Sequence, residues 1–153
     1  MSLWYRVFGR GEIEVSAANL QTYLSGQTVL VTCQFAEDAR GWVRADIRFA
    51  TSSPLHLERY RSDEEGIRGE LNSWAAFLET CDYEPKYVEL MERVIQAKQL
   101  FTLRRPVDYS NEVLVESLCV GLCRFLASET DGVWQCDGEG FFAADGELLL
   151  KEY

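Results

Sequence analysis

Residues 29–49, VLVTCQFAEDARGWVRADIRF, carry the pattern that decides the fold. Val29, Val31, Cys33 and Phe35 recur at every second position, the period of a strand with one face on a core. After the polar run Glu37-Asp38-Ala39-Arg40-Gly41 the alternation resumes, with Val43, Ala45, Ile47 and Phe49 facing one way and Trp42, Arg44, Asp46 and Arg48 the other. Two such runs on either side of a short polar link predict a half-buried antiparallel hairpin.

Working outward, Leu3, Tyr5 and Val7 alternate with Trp4, Arg6 and Phe8, a strand that Gly9 and Gly11 end. Ser16 suits the N-cap of a helix over 17–25 that carries Leu20, Tyr23 and Leu24. After Pro54, Leu55 and Leu57 oppose His56, Glu58 and Tyr60 in another strand. Ser62-Asp63-Glu64-Glu65 has the form of a capping box, and Ile67, Leu71, Trp74 and Leu78 then lie on one helical stripe ending near Cys81. Pro85 opens a second helix with Leu90, Met91 and Val94 apolar and Glu89 and Arg93 at i,i+4. Residues 99–103 read as a strand stopped by Pro106. Ser110 or Asn111 opens the longest helix, to about residue 128, with Leu114, Leu118, Gly121, Leu122, Phe125 and Leu126 on its core face. Short strands follow over 133–136, 141–143 and 147–150, parted by Asp-Gly pairs that predict type I′ turns, Asp145-Gly146 the tightest. This order predicts one α+β domain over 1–153, with a mainly antiparallel sheet and helices packed on one face. A ferredoxin-like beginning fits the first strands, and the C-terminal strands either extend the sheet or form a small one of their own.

The chain has 153 residues, 47% of them hydrophobic, and 25 acidic against 15 basic residues give a net charge of −10. Such a balance repels phosphate backbones and anionic headgroups, which excludes nucleic acid and membrane surfaces as expected partners. From Val107 onward two basic residues stand against ten acidic ones, a balance of −8 that would suit a basic partner. Five cysteines without framework spacing predict reduced thiols in a cytoplasm. The N-terminus lacks a signal-peptide pattern, and no apolar run is long enough to span a bilayer.

Candidate chemistry is sparse. A calcium loop starting at Asp137 would need an oxygen ligand and a glycine where Phe141 and Phe142 stand, and one starting at Asp131 would have Val133 at its third position. Cys119 and Cys123 are two ligands without a second pair, and Glu112 and Glu116 near them would raise a thiol pKa. No metal site and no cofactor follow. Phe8-Gly9-Arg10-Gly11-Glu12 lacks the third glycine of a dinucleotide fingerprint. His56 is the one histidine, so any Ser-His or Cys-His mechanism must use it. Arg6, Arg44 and Arg48 could share the polar face of the sheet and hold an anion, although cross-strand pairing with Asp46 and Glu58 explains them as well. Trp134 and Phe141 beside Asp137, Glu139, Asp145 and Glu147 combine apolar anchors with an acidic rim, the make-up of a protein-binding patch.

Three stretches, Glu65-Gly66-Ile67-Arg68-Gly69-Glu70-Leu71-Asn72-Ser73-Trp74, Leu122-Cys123-Arg124-Phe125-Leu126-Ala127 and Asp137-Gly138-Glu139-Gly140-Phe141-Phe142, together resemble small uncharacterised bacterial proteins of the domain-of-unknown-function kind. The resemblance covers most of the chain, implies no activity and carries over no functional residue. The expected function is that of a small acidic cytoplasmic binding protein, for instance an immunity-type inhibitor, that meets a basic protein partner through its acidic C-terminal third. The alternative is a small hydrolase or transferase using His56 with a thiol or carboxylate. A homodimer is a third expectation.

Overall fold

The computed structural model describes residues 2–27, 30–49, 53–106 and 112–153; Val29 and the expected helix openers Ser110 and Asn111 lie outside them. In chain order the elements are β1 (Ser2–Gly9), α1 (Ala17–Ser25), β2 (Val31–Asp38), β3 (Gly41–Phe49), β4 (Leu55–Arg61), α2 (Ile67–Glu79), α3 (Tyr87–Ile95), β5 (Gln99–Pro106), α4 (Glu112–Glu129), β6 (Gly132–Cys136), β7 (Gly140–Ala143) and β8 (Leu148–Lys151). All eight strands join one antiparallel sheet in the order β2-β3-β4-β5-β1-β6-β7-β8. The single α+β domain and antiparallel sheet expected from the alternation are what forms, and the C-terminal strands extend that sheet. No described helix is long and apolar enough to cross a membrane.

The helices divide between the two faces instead of sharing one. α1 and α4 pack over Tyr5, Val7, Ile47, Leu57, Phe101, Leu103 and Trp134, whereas α2 and α3 pack over Phe8, Leu100, Val133, Phe141 and Leu150. The cause is in the central strands, where neighbouring residues (Val7 and Phe8, Leu100 and Phe101, Val133 and Trp134) are both buried, as in strands covered on two sides. The ferredoxin-like start does not form, because the run β2-β3-β4-β5 delivers β5 to β1 and leaves β2 three strands away at an edge.

Trp42 also departs from the simple alternation. Ala36 pairs with Arg44 and Glu37 with Trp42, so Val43 is the extra residue of a β-bulge. The bulge turns Trp42 into the core at 3% exposure, where its Nε1 donates to the Val15 carbonyl at 2.8 Å. Arg59 lies over its ring at 4.7 Å. In α4 the buried stripe is Val115, Leu118, Cys119, Leu122, Cys123, Leu126 and Ala127, rotated so that thiols replace Leu114, Gly121 and Phe125. Phe125 is spared full burial by stacking on Tyr23 at 4.3 Å.

The Asp-Gly pairs do punctuate hairpins, but not as type I′ turns. Gly146 N–H donates to Ala143 O at 2.9 Å and Ala143 N–H to Glu147 O at 2.8 Å, which closes the three-residue loop Ala144-Asp145-Gly146 with Gly146 at φ +94°. At the preceding turn Glu139 N–H reaches Cys136 O at 3.1 Å, and Gly138 takes φ +80° while Asp137 does not enter the left-handed region. Type I′ geometry needs positive φ at both central residues, and here glycine alone supplies it.

Candidate functional site

α2 and α3 cover only part of their face, and among the described residues no helix packs on the half formed by β2, β3, the N-terminal halves of β4 and β1 and the C-terminal half of β5. The strand register sets the polar side chains of that half in two rows. One runs Asp46, His56, Arg104, Trp4 and the other Arg44, Glu58, Thr102, Arg6, Gln135. Side chains directly opposite on one face lie about 5 Å apart at Cβ, which sets Arg44 beside Glu58 and Asp46 beside His56. His56 Nδ1 shares a hydrogen bond of 2.8 Å with Asp46 Oδ1, and Asp46 Oδ2 accepts from Arg44 at 3.3 Å. Trp4 lies 5.8 Å from both the Arg6 and the Arg104 guanidinium.

Where this half meets α2 there is a cleft of about 430 Å³, with Leu100 and Ile67 in its lining beside Trp4 and Tyr60. Glu58, Glu65 and Glu70 supply three carboxylates to it, and Arg6 one cation. Arg6 is already engaged, donating to Gln135 Oε1 at 3.0 Å and Asp137 Oδ1 at 2.7 Å and lying 4.7 Å over Trp74. Gln135, fully buried, donates in turn to Asp137 at 3.0 Å and Glu152 at 3.3 Å. The Tyr60 hydroxyl donates to Glu58, and burial, reinforced by that carboxylate, pushes its pKa up to about 12, so it is neutral at physiological pH.

The capping box expected at Ser62-Asp63-Glu64-Glu65 does not form. Gly66 at φ +84° begins α2 with no side-chain cap, and Glu64 instead accepts from the Arg61 backbone N–H. Glu65 is thereby left at the cleft. The cleft residues come from β1, β4, β5, α2 and the segment before α2, so no local spacing announced them, and the three-residue acidic run Asp63-Glu64-Glu65 was the one available signal.

The residues singled out in the sequence fall elsewhere. Trp134 and Phe141 are core residues at 2% and 0% exposure, not surface anchors. Trp134 donates its Nε1 to Ala143 O at 3.0 Å, and Phe141 sits beside Phe8 and Trp74 with ring centres 6.1 and 6.0 Å away. They are buried because β6 and β7 belong to the main sheet. Asp137 is paired with Arg6, Asp145 caps its own loop by accepting from Glu147 N–H at 2.9 Å, and Glu147 lies 3.6 Å from Lys86. Glu139 is exposed. Arg6 shares a row with Arg44, but Glu58 and Thr102 stand between them, and Arg48 is exposed near the β2 edge, so the three arginines do not converge on one anion.

His56 meets the carboxylate of Asp46, and no described side chain bonds its Nε2. Cys33 lies on the opposite face, across from Ile47, so no thiol completes a dyad there. Burial pushes Cys119 and Cys136 up to about 12 and Cys123 well above the ordinary thiol value, with Glu116 only the smallest contribution at Cys119. Among the described residues no three His, Cys, Asp or Glu side chains are grouped to hold a metal ion. Arg93, expected to pair with Glu89, instead donates to the Asp131 carbonyl at 3.1 Å. No protein-family model, curated protein or solved structure matches this chain.

Phe141→Ala separates the two readings of that residue. Loss of a fully buried ring from contact with Phe8 and Trp74 should cost about 3–5 kcal/mol in urea unfolding. A surface anchor would cost less than about 0.5 kcal/mol.

Proposed function

We propose that the protein is a non-catalytic binding protein that accepts a cationic side chain of a basic protein partner in the cleft between β4, β1 and α2. The observation that carries this reading is the lining: Glu58, Glu65 and Glu70 beside the rings of Trp4 and Tyr60. Carboxylates neutralise an incoming lysine or arginine, and aromatic faces attract the same cation through their quadrupole. The opposing cation, Arg6, is tied to Asp137 and Gln135 and has little left to repel a guest. The net charge of −10 steers a basic partner toward the chain from a distance. The C-terminal acids contribute to that field, whereas several of their side chains serve internal contacts. An inhibitor that neutralises a cationic toxin in the cytoplasm is one concrete form of this function.

The test is an NMR titration with two short peptides, one arginine-rich and one glutamate-rich. The arginine-rich peptide should shift the Trp4 indole and Gly66 amide signals, and the shifts should fade in high salt and in the Glu65→Gln/Glu70→Gln variant. Both positions are exposed, so that variant keeps its fold. Shifts produced only by the glutamate-rich peptide, or centred on Arg44 and Arg104, would reverse the sign of the partner.

A further inference from the structure

The two edges of the sheet are built differently. β8 is four residues long and ends in Lys151, whose carbonyl accepts from the Tyr83 hydroxyl at 2.7 Å. Its pairing with β7 is broken by a register shift at Phe141/Phe142. Short length, a lysine, an irregularity and a covering side chain are the devices that keep an edge from recruiting another strand.

β2 has few of them. It is eight residues long, it pairs only with β3, and no described backbone group bonds its outer side. Between Val31 and Ala36 it contains no proline and no charge. On its core face Cys33 and Phe35 remain half-buried, with Phe35 edge-on to Trp42 at 5.9 Å. The charges that β2 does carry, Glu37 and Asp38, lie together at its C-terminal end. At its N-terminal end Arg48 stands opposite Thr32 on β3, exposed and without an ion-pair partner among the described residues.

We propose that β2 is a self-association edge, pairing antiparallel with β2 of a second copy about a two-fold axis near Gln34. Antiparallel pairing carries the Glu37–Asp38 end of each copy to the Arg48 end of the other, so the attraction occurs twice, as an isologous interface requires. It also brings Phe35 and Cys33 of one copy beside those of its partner and closes both cores at the seam. Backbone hydrogen bonds supply affinity as in strand addition generally. A single strand pair buries less than a standard interface, so the dimer is a weak one, filling between about 10 µM and 1 mM.

Sedimentation velocity over that range, with hydrogen exchange at both ends of it, tests the pairing. Wild type should shift from monomer to dimer, and amides 31–38 should gain protection with concentration. Gln34→Lys places like charges directly across the axis at an exposed position that faces Asp46 within its own chain, and should abolish the dimer with the melting curve unchanged. Arg48→Glu should weaken it at low salt. A wild type that stays monomeric at about 1 mM, a dimer that survives the lysine variant, or protection confined to other strands would overturn the proposal. None of these residues lines the cleft, so the result is independent of cationic side-chain binding.

Discussion

Between pH 8.5 and pH 10 the folded state should lose about 4 kcal/mol of stability, about 2 kcal/mol from each of the buried thiols Cys119 and Cys136, and the buried Cys123 adds to the loss. Cys119, Cys123 and Cys136 all face the core, and burial pushes the folded-state pKa of Cys119 and Cys136 up to about 12 and that of Cys123 well above the ordinary thiol value. In the unfolded chain the same groups titrate near 8.5. Above that pH the unfolded chain releases three protons that the folded core retains, so rising pH favours unfolding by about 1.4 kcal/mol per unit for each thiol. The contribution is fully present below pH 8.5 and disappears progressively as pH climbs toward the folded values. Tyr5, raised chiefly by the same burial, adds to the slope above pH 10.

A small domain holds roughly 5–15 kcal/mol in all, so urea midpoints should collapse by pH 10. Replacing one of the three thiols by alanine lowers stability at pH 7, yet should remove about a third of the alkaline slope. A stability curve flat to pH 10 would show that these thiols ionise as easily folded as unfolded, and would contradict their placement against the sheet.

The same thiols show where the sequence was readable and where it was not. Period-two alternation identified the strands because burial on one face of a sheet leaves that trace directly. It failed at Trp42, where one unpaired residue in β3 reversed the parity of everything before it, a geometry with no compositional signature. It underestimated β1, β5 and β6 because adjacent buried residues look like an imperfect alternation until a second helical layer is known. In α4, leucines and cysteines compete for the same stripe. Small thiols fit the close approach to β1 and β6, and Phe125 finds Tyr23 at the margin. The cleft was illegible for a different reason: Trp4, Glu58, Glu65 and Glu70 meet only after β1 has been inserted beside β5.

Gly140→Ala should cost more than about 4 kcal/mol, whereas Gly138→Ala, two residues earlier in the same turn, should cost about 1–2 kcal/mol. Both glycines have positive φ, +80° at Gly138 and +139° at Gly140, so each substitution strains the backbone. The difference is space. A methyl group on Gly138 meets nothing within 4 Å, while one on Gly140 would stand 2.0 Å from the Leu150 carbonyl oxygen and 3.0 Å from Lys151 Cα. Neither neighbour is the tip of a flexible side chain, so β8 itself must move. Leu150 is 1% exposed in the core under α2 and α3, and its withdrawal opens a cavity there. The damage should extend to the cleft, because Glu152, just beyond β8, accepts from Gly138 N–H at 2.8 Å and from Gln135 at 3.3 Å, and Gln135 and Asp137 hold Arg6. Urea unfolding of the two variants, with hydrogen exchange at 148–151 and the Trp4 indole signal, reads all three consequences. Equal costs would mean that β8 is a loosely held edge, and the chain of contacts from β8 to Arg6 would then have no mechanical content.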